Sequence, residues 1–184
     1  MSNEWKFYLQ GFWACLITGN LRKFAPLVAQ AKLETGNFSS GHFSTGFNAF
    51  GMHVPDPWAN GGTHVEGEGT VAAYKSFYRS WRGRLAWDDR RGIDSTEWAD
   101  VGEYGVLCTN AGYNTNPNYV QSWVNNYREL GWFLRLVGPP ADGGRSSWLQ
   151  TVWNVIWAWL VIGIIGWLLW MAWKKYRRKR KPSK

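Results

Sequence analysis

Residues 27–40 read LVAQAKLETGNFSS, and the reading of this stretch decides the fold. Leu27, Ala31 and Glu34 fall at i, i+4 and i+7, beside Phe24 and Val28, so a helix here turns Glu34 to the side of an apolar face that should meet the core. Gly36 supplies the stop, because a glycine just past the last turn takes the left-handed conformation without a Cβ penalty. A carboxyl group held at a helix end among apolar neighbours has its charged form disfavoured, which raises its pKa and keeps a proton on it closer to neutral pH. That is what a general acid in glycoside hydrolysis requires.

Working outward, residues 20–35 give the helix that carries this stretch, with Pro26 tolerated near its start. Before it, MSNEWKFYLQGFWACLITG reads as a first helix with Trp5, Leu9, Phe12, Trp13 and Leu16 on its buried side. It is not a signal peptide by pattern, since Glu4 precedes the early Lys6 and Gln10 breaks the apolar run. From 36 to 69 the composition turns to Gly, Ser, Asn, His and Pro with no helical period, and so long a connection in a compact domain is usually functional. Val71, Tyr74, Tyr78, Trp81 and Leu85 then mark a third helix, with Lys75, Arg79 and Arg82 on its wet face. Asp94 and Glu97 have the spacing of a capping box for a fourth, carrying Trp98, Val101 and Leu107. Asn116 and Pro117 suit the start of a fifth, with Val120, Trp123, Tyr127, Leu130 and Leu134 as its stripe.

The C-terminal composition is different. Residues 138–147, GPPADGGRSS, read as a linker. Residues 148–173 are almost unbroken apolar sequence, long enough to cross about 30 Å of hydrocarbon at about 1.5 Å per residue, and hold seven of the 15 Trp. The tail 174–184 carries eight of the 21 basic residues, which leaves 13 basic against 13 acidic elsewhere. The pI of 9.7 therefore belongs to the tail, which argues against a basic nucleic-acid-binding face on the globular part. Two cysteines, Cys15 and Cys108, allow at most one bridge and read as small buried residues. His42, His53 and His64, with Asp56 and Glu66, match no zinc spacing, so neither metal nor cofactor is expected.

Three ordered stretches carry a family resemblance. AQAKLETG (29–36) resembles the AQAxLESG signature of the glucosaminidase family of peptidoglycan hydrolases; NAFGM (48–52) is similar to that family's NLFGI, and GYNTNPNYV (112–120) to its GYATDPNYA. Tyr74, Ser76 and Ser80 follow its YxSxxxS pattern more loosely. The matches span about residues 20 to 135, most of the globular part. The resemblance implies a mainly α, α+β lysozyme-like domain over 1–137, with an irregular or hairpin lobe walling a sugar cleft. It implies that Glu34 protonates the β-1,4 bond between N-acetylglucosamine and N-acetylmuramic acid. It also implies a second carboxylate in the lobe, either Glu66 or Glu68, unless the substrate's N-acetyl group is the nucleophile. Tyr113 matches the active-site tyrosine of the family's GYATD motif and Tyr119 the tyrosine that follows in GYATDPNYA, which implies phenols placed to orient the sugar or its acetamido group. Asn116 stands where the family has Asp. Asn48, Phe50, Trp58 and Tyr119 are the expected substrate-binding residues, Phe50 and Trp58 as stacking faces.

The expected whole is a peptidoglycan hydrolase anchored by one C-terminal transmembrane helix over 148–173, tail-anchored, with its C-terminus inside. A virion-associated lysin of a membrane-containing bacteriophage fits that layout, and otherwise an enzyme of the bacterial inner membrane. The expected partners are glycan strands, lipid along 148–173, anionic headgroups or packaged nucleic acid at the basic tail, and partner helices or capsid proteins. Two alternatives stay open: a lytic transglycosylase, to whose ESGF and YNAG signatures ETGNF and AGYNTNPNYV are loosely similar, and a non-catalytic wall-binding spike.

Overall fold

Ser2 accepts a hydrogen bond from the Trp5 amide at 3.4 Å and starts α1 (Asn3–Ile17). Its buried residues are Phe7, Gly11, Ala14 and Cys15; of the five side chains expected to face inward, only Phe12 packs against the core, edge-on to Phe24 at 5.8 Å. Trp5, Leu9, Trp13 and Leu16 are 58%, 51%, 52% and 42% exposed. The reason is the close approach of α1 to α4 (Phe77–Arg90). A Cβ at Gly11 would stand 2.1 Å from Trp81 Cε2, so the face of α1 carrying Phe7 and Gly11 meets the indole, and Trp5, Leu9, Trp13 and Leu16 are turned out. Gly11→Ala gains about 1 kcal/mol of helix propensity, but Trp81 is 0% exposed and has no room to retreat. Overpacking of about 1–3 kcal/mol should win, and thermal unfolding of the variant is expected at lower temperature than wild type.

The computed structural model describes residues 2–66 and 69–141, together with 161–163, 166, 167, 170, 171 and 174. The chain divides into two compact units, Met1–Arg145 and Ser146–Lys184. In the first, a 3-10 turn (Leu21–Lys23) leads into α2 (Phe24–Glu34), whose residues 24 to 31 are all buried. Helix α6 (Tyr119–Arg128) packs on α2, and the Trp123 indole N–H donates to the Pro26 carbonyl at 2.7 Å. Helix α5 (Val101–Asn110) lies against α6. Short turns α3 (Gly41–Ser44) and α7 (Trp132–Arg135) complete the helices. Tyr127 Oη donates to the Pro139 carbonyl at 2.6 Å and the Val101 amide to that of Pro140 at 3.3 Å, so the start of the Gly/Pro-rich stretch is held on this unit.

The lobe between α3 and α4 contains an antiparallel hairpin, β1 (Gly61–Val65) and β2 (Gly69–Ala73), in register from Gly61↔Ala73 to Val65↔Gly69. Val71, expected in a helix, is therefore in a strand. The helix begins only at Phe77, where Ser76 Oγ accepts from the Arg79 amide at 3.4 Å. The cap of α5 is likewise Asp100, accepting from the Glu103 amide at 2.8 Å; Asp94 is committed to a turn with Thr96. The Phe7 ring lies 5.0 to 6.0 Å from Trp81, Phe38, Phe77, Phe43 and Phe50. That aromatic cluster joins α1, the lobe and α4.

The C-terminal expectation is corrected. Among the described residues no helix is long and apolar enough to cross a membrane, which overturns the transmembrane helix over 148–173. The tail-anchored layout and the single-pass virion or inner-membrane location built on it fall too. In that stretch 161–163, 166, 167, 170 and 171 are helical. The remainder, and the tail beyond Lys174 with its expected headgroup or nucleic-acid contacts, lies outside the described residues. The expectation rested on apolar length alone, whereas a span needs one continuous helix that satisfies its own backbone groups.

Candidate active site

Helix α2 ends at Glu34 in a turn that the next residues over-determine. Gly36, Asn37 and Phe38 all have positive φ, 56°, 59° and 64°, the left-handed region that costs a bulky residue most. Thr35 closes the turn: Oγ1 donates to the Ala31 carbonyl at 2.6 Å and accepts from the Phe38 amide at 2.8 Å. Phe38 is then held by its ring contacts to Phe7 and Phe43, at 5.4 and 5.1 Å between centroids. Sequence, turn and core packing together fix where the Glu34 side chain leaves the helix.

The Glu34 carboxyl is half-buried. Its Oε1 accepts the Tyr119 hydroxyl, and its Oε2 faces Gly51, where a Cβ would stand 3.2 Å away. Gly51 has φ 59°, so both its conformation and its nearness to the carboxyl favour glycine. Burial raises the Glu34 pKa above the ordinary value; the Tyr119 hydrogen bond and the charge of Arg84 pull it back without cancelling that effect. The arrangement suits a carboxyl that holds its proton more tightly than a solvated one and then gives it up.

The loop carrying Gly51 is built by Asn48. Its Nδ2 donates to the Met52 and Ala72 carbonyls, both at 2.9 Å, and its Oδ1 accepts from the Phe50 and Met52 amides at 3.3 and 3.1 Å. Asn48 is 2% exposed, so it shapes the loop and does not present itself to a ligand. Phe50 is 1% exposed in the aromatic cluster; its contribution to the site is its carbonyl, which accepts the Tyr113 hydroxyl. Tyr113 and Tyr119 lie 6.0 Å apart, one tied to the loop and the other to Glu34. The three matching stretches thus converge on one carboxyl.

Other expected residues do not join this cluster. Trp58 is half-buried, with the Arg82 guanidinium 4.4 Å over its ring and its carbonyl accepting from Arg79 Nε at 2.7 Å. Glu66 is exposed at the turn of the hairpin, and Glu68 lies outside the described residues. Two residues that the sequence reading passed over do matter. Gln30 is 0% exposed and joins Tyr119 to Arg84, which is itself 0% exposed and paired with Asp88. Their signal was present: an amide in an all-apolar helical run, and Arg84 and Asp88 at i, i+4 on the same stripe as Phe77 and Trp81.

No protein-family model matches the sequence, and no curated protein does. A solved structure does. A type VI secretion system effector–immunity complex from Pseudomonas protegens is similar with a TM-score of 0.51, at 17% identity, over 68% of this chain and 94% of that one. At that identity the likeness speaks for the fold alone.

Proposed function

We propose that this protein is a glycoside hydrolase of glucosaminidase type that cleaves β-1,4 bonds of the peptidoglycan glycan strand, with Glu34 as general acid. The observation that carries the reading is the half-buried Glu34 carboxyl, with Tyr119 on one oxygen and Gly51 beside the other, where three stretches resembling that family meet. In this reading the Glu34 proton passes to the bridging oxygen as the bond to the anomeric carbon breaks. The sugar takes on oxocarbenium character. Among the described residues Glu34 is acted on by the charge of Arg84 and the hydrogen bond of the neutral Tyr119 phenol, and by no second carboxylate. That favours the substrate's own N-acetyl oxygen as the group that captures the anomeric carbon, before water opens the intermediate. The similar structure holds an effector with an immunity protein. By analogy, this chain acts on the wall as an effector and has a protein inhibitor as its partner.

The single-acid geometry favours one second reading, a lytic transglycosylase, in which a muramic hydroxyl replaces water. The ends released from purified peptidoglycan decide between them by mass spectrometry. New reducing N-acetylglucosamine ends are expected; 1,6-anhydro-muramic ends would assign the transglycosylase. Release of neither would overturn both and leave a wall-binding protein.

A further inference from the structure

Gln30 lies one turn before Glu34, between two groups whose hydrogen-bond senses are linked. Arg84 has donors only, and its Nε stands 2.9 Å from Gln30 Oε1. The other end of the amide is therefore its NH2, and Nε2 donates to the Tyr119 hydroxyl oxygen at 3.0 Å. That oxygen's own hydrogen is directed to Glu34 Oε1. A carboxyl oxygen that accepts a hydrogen bond in this way is the poorer seat for the acidic proton, which belongs on the other oxygen. We propose that Gln30 is a positioning residue: it turns the Tyr119 hydroxyl onto Glu34 Oε1 and so leaves the transferable proton on Oε2, the oxygen beside Gly51. The proposal rests on reading Glu34 as the proton donor.

The charges behind Arg84 give this relay a direction. Asp88 Oδ2 lies 3.0 Å from Lys23 Nζ, and its Oδ1 pairs with Arg84; all three side chains are 0–1% exposed. Two positive charges thus face one buried negative; Asp94 at the surface acts on Lys23, and Glu34 is the carboxyl beyond Asp88 on which Arg84 acts. Every donor in the chain, from Arg84 through Gln30 and Tyr119, points toward Glu34, so each polarises the next in favour of the carboxylate left after proton transfer. The other titratable groups near Glu34 and Arg84 do not supply negative charge to Arg84. Lys32, on the same helix, is 3.6 Å from Glu129 of the α6 end. Tyr104, Tyr113 and Cys108 are held neutral by burial, the thiol pushed up to about 11.

Two variants test the proposal. Gln30→Glu keeps the length and the Arg84 contact but presents only acceptors, drawing the phenol hydrogen away from Glu34; Gln30→Met removes the link altogether. The readout is the Glu34 carboxyl titration by carbon-13 NMR, the resonance being assigned by its loss in Glu34→Gln. In both Gln30 variants the titration is expected to rise by at least about one pH unit, and kcat to fall while KM holds. Tyr119→Phe should produce a similar rise in the wild type and none beyond it in the Gln30→Glu background, because one relay has been cut twice. Should the Gln30→Glu chain fail to fold, Gln30→Met decides on the same readout. An unmoved Glu34 titration in the folded Gln30 variants overturns the proposal, whatever the activity. A shifted titration in a protein that cleaves no glycan keeps the proton placement and rejects the glycosidase reading.

Discussion

Glu34→Gln is expected to abolish release of fragments from purified peptidoglycan, by at least about a thousandfold if the carboxyl is the proton donor, while the protein stays folded. Gln keeps the length and the oxygen that accepts from Tyr119, and loses only the proton to be transferred. Stability should follow from linkage. The folded-state pKa of Glu34 lies above its ordinary 4.5, chiefly because the side chain is buried. As pH rises past that ordinary value the unfolded chain releases this proton first, so the wild type loses stability up to the raised folded pKa and carries the deficit beyond it. Glu34→Gln has no such deficit. Its melting temperature should equal or exceed that of wild type at neutral pH, and the difference should close as pH falls toward 4.5. An inactive variant that melts far below wild type at neutral pH would instead mark Glu34 as a structural residue, and full activity would end its assignment as the acid.

What could be read from the sequence was whatever is encoded locally. The run into Glu34 with its glycine stop, and the tyrosines at 113 and 119, are short-range patterns, and the fold brings them together. What could not be read depends on which neighbour arrives. Helix α1 is apolar on two faces, and the indole of Trp81 against Gly11 decides that the face with Phe7 and Gly11 is the buried one. Val71 and Tyr74 share a helical phase with Tyr78, yet the hairpin claims Val71 and Ser76 restarts the chain as a helix. Asp94 with Glu97 and Asp100 with Glu103 have the same capping spacing, and the first Asp is already spent on Thr96. Asn48 and Phe50 look like ligand contacts because a polar and an aromatic residue stand in a Gly-rich loop. Their burial is a long-range fact that the loop's own composition does not carry.

The second large effect is expected away from the carboxyl, at Asp88→Ala. Asp88 is 0% exposed and is the counter-charge for Lys23 and Arg84, and Tyr104 Oη donates to its Oδ2 at 2.5 Å. Removing it strands two buried cations. Burial disfavours the Arg84 charge, and the carboxylate of Asp88 stabilises it in that site. Breaking a buried pair from one side costs about 3–5 kcal/mol. For a unit of this size that corresponds to a fall of roughly 10 °C or more in melting temperature, and chemical denaturation should give the same loss. Asp88→Asn separates charge from shape, since it is nearly isosteric and still accepts from Tyr104. A loss close to that of Asp88→Ala would show that the missing charge dominates, and a near-wild-type melt would contradict the charge argument. The converse substitution is the more informative one. Replacing Lys23, Arg84 and Asp88 together by apolar side chains of similar volume removes the desolvation penalty along with the pairing, and such swaps are often neutral or stabilising. The triple variant is therefore expected to fold at least as well as Asp88→Ala and to cleave glycan far more slowly than wild type, because nothing then polarises Gln30 and Tyr119 toward Glu34. That combination, stability regained without activity, would assign the buried charges to the acid they face and not to the core they interrupt.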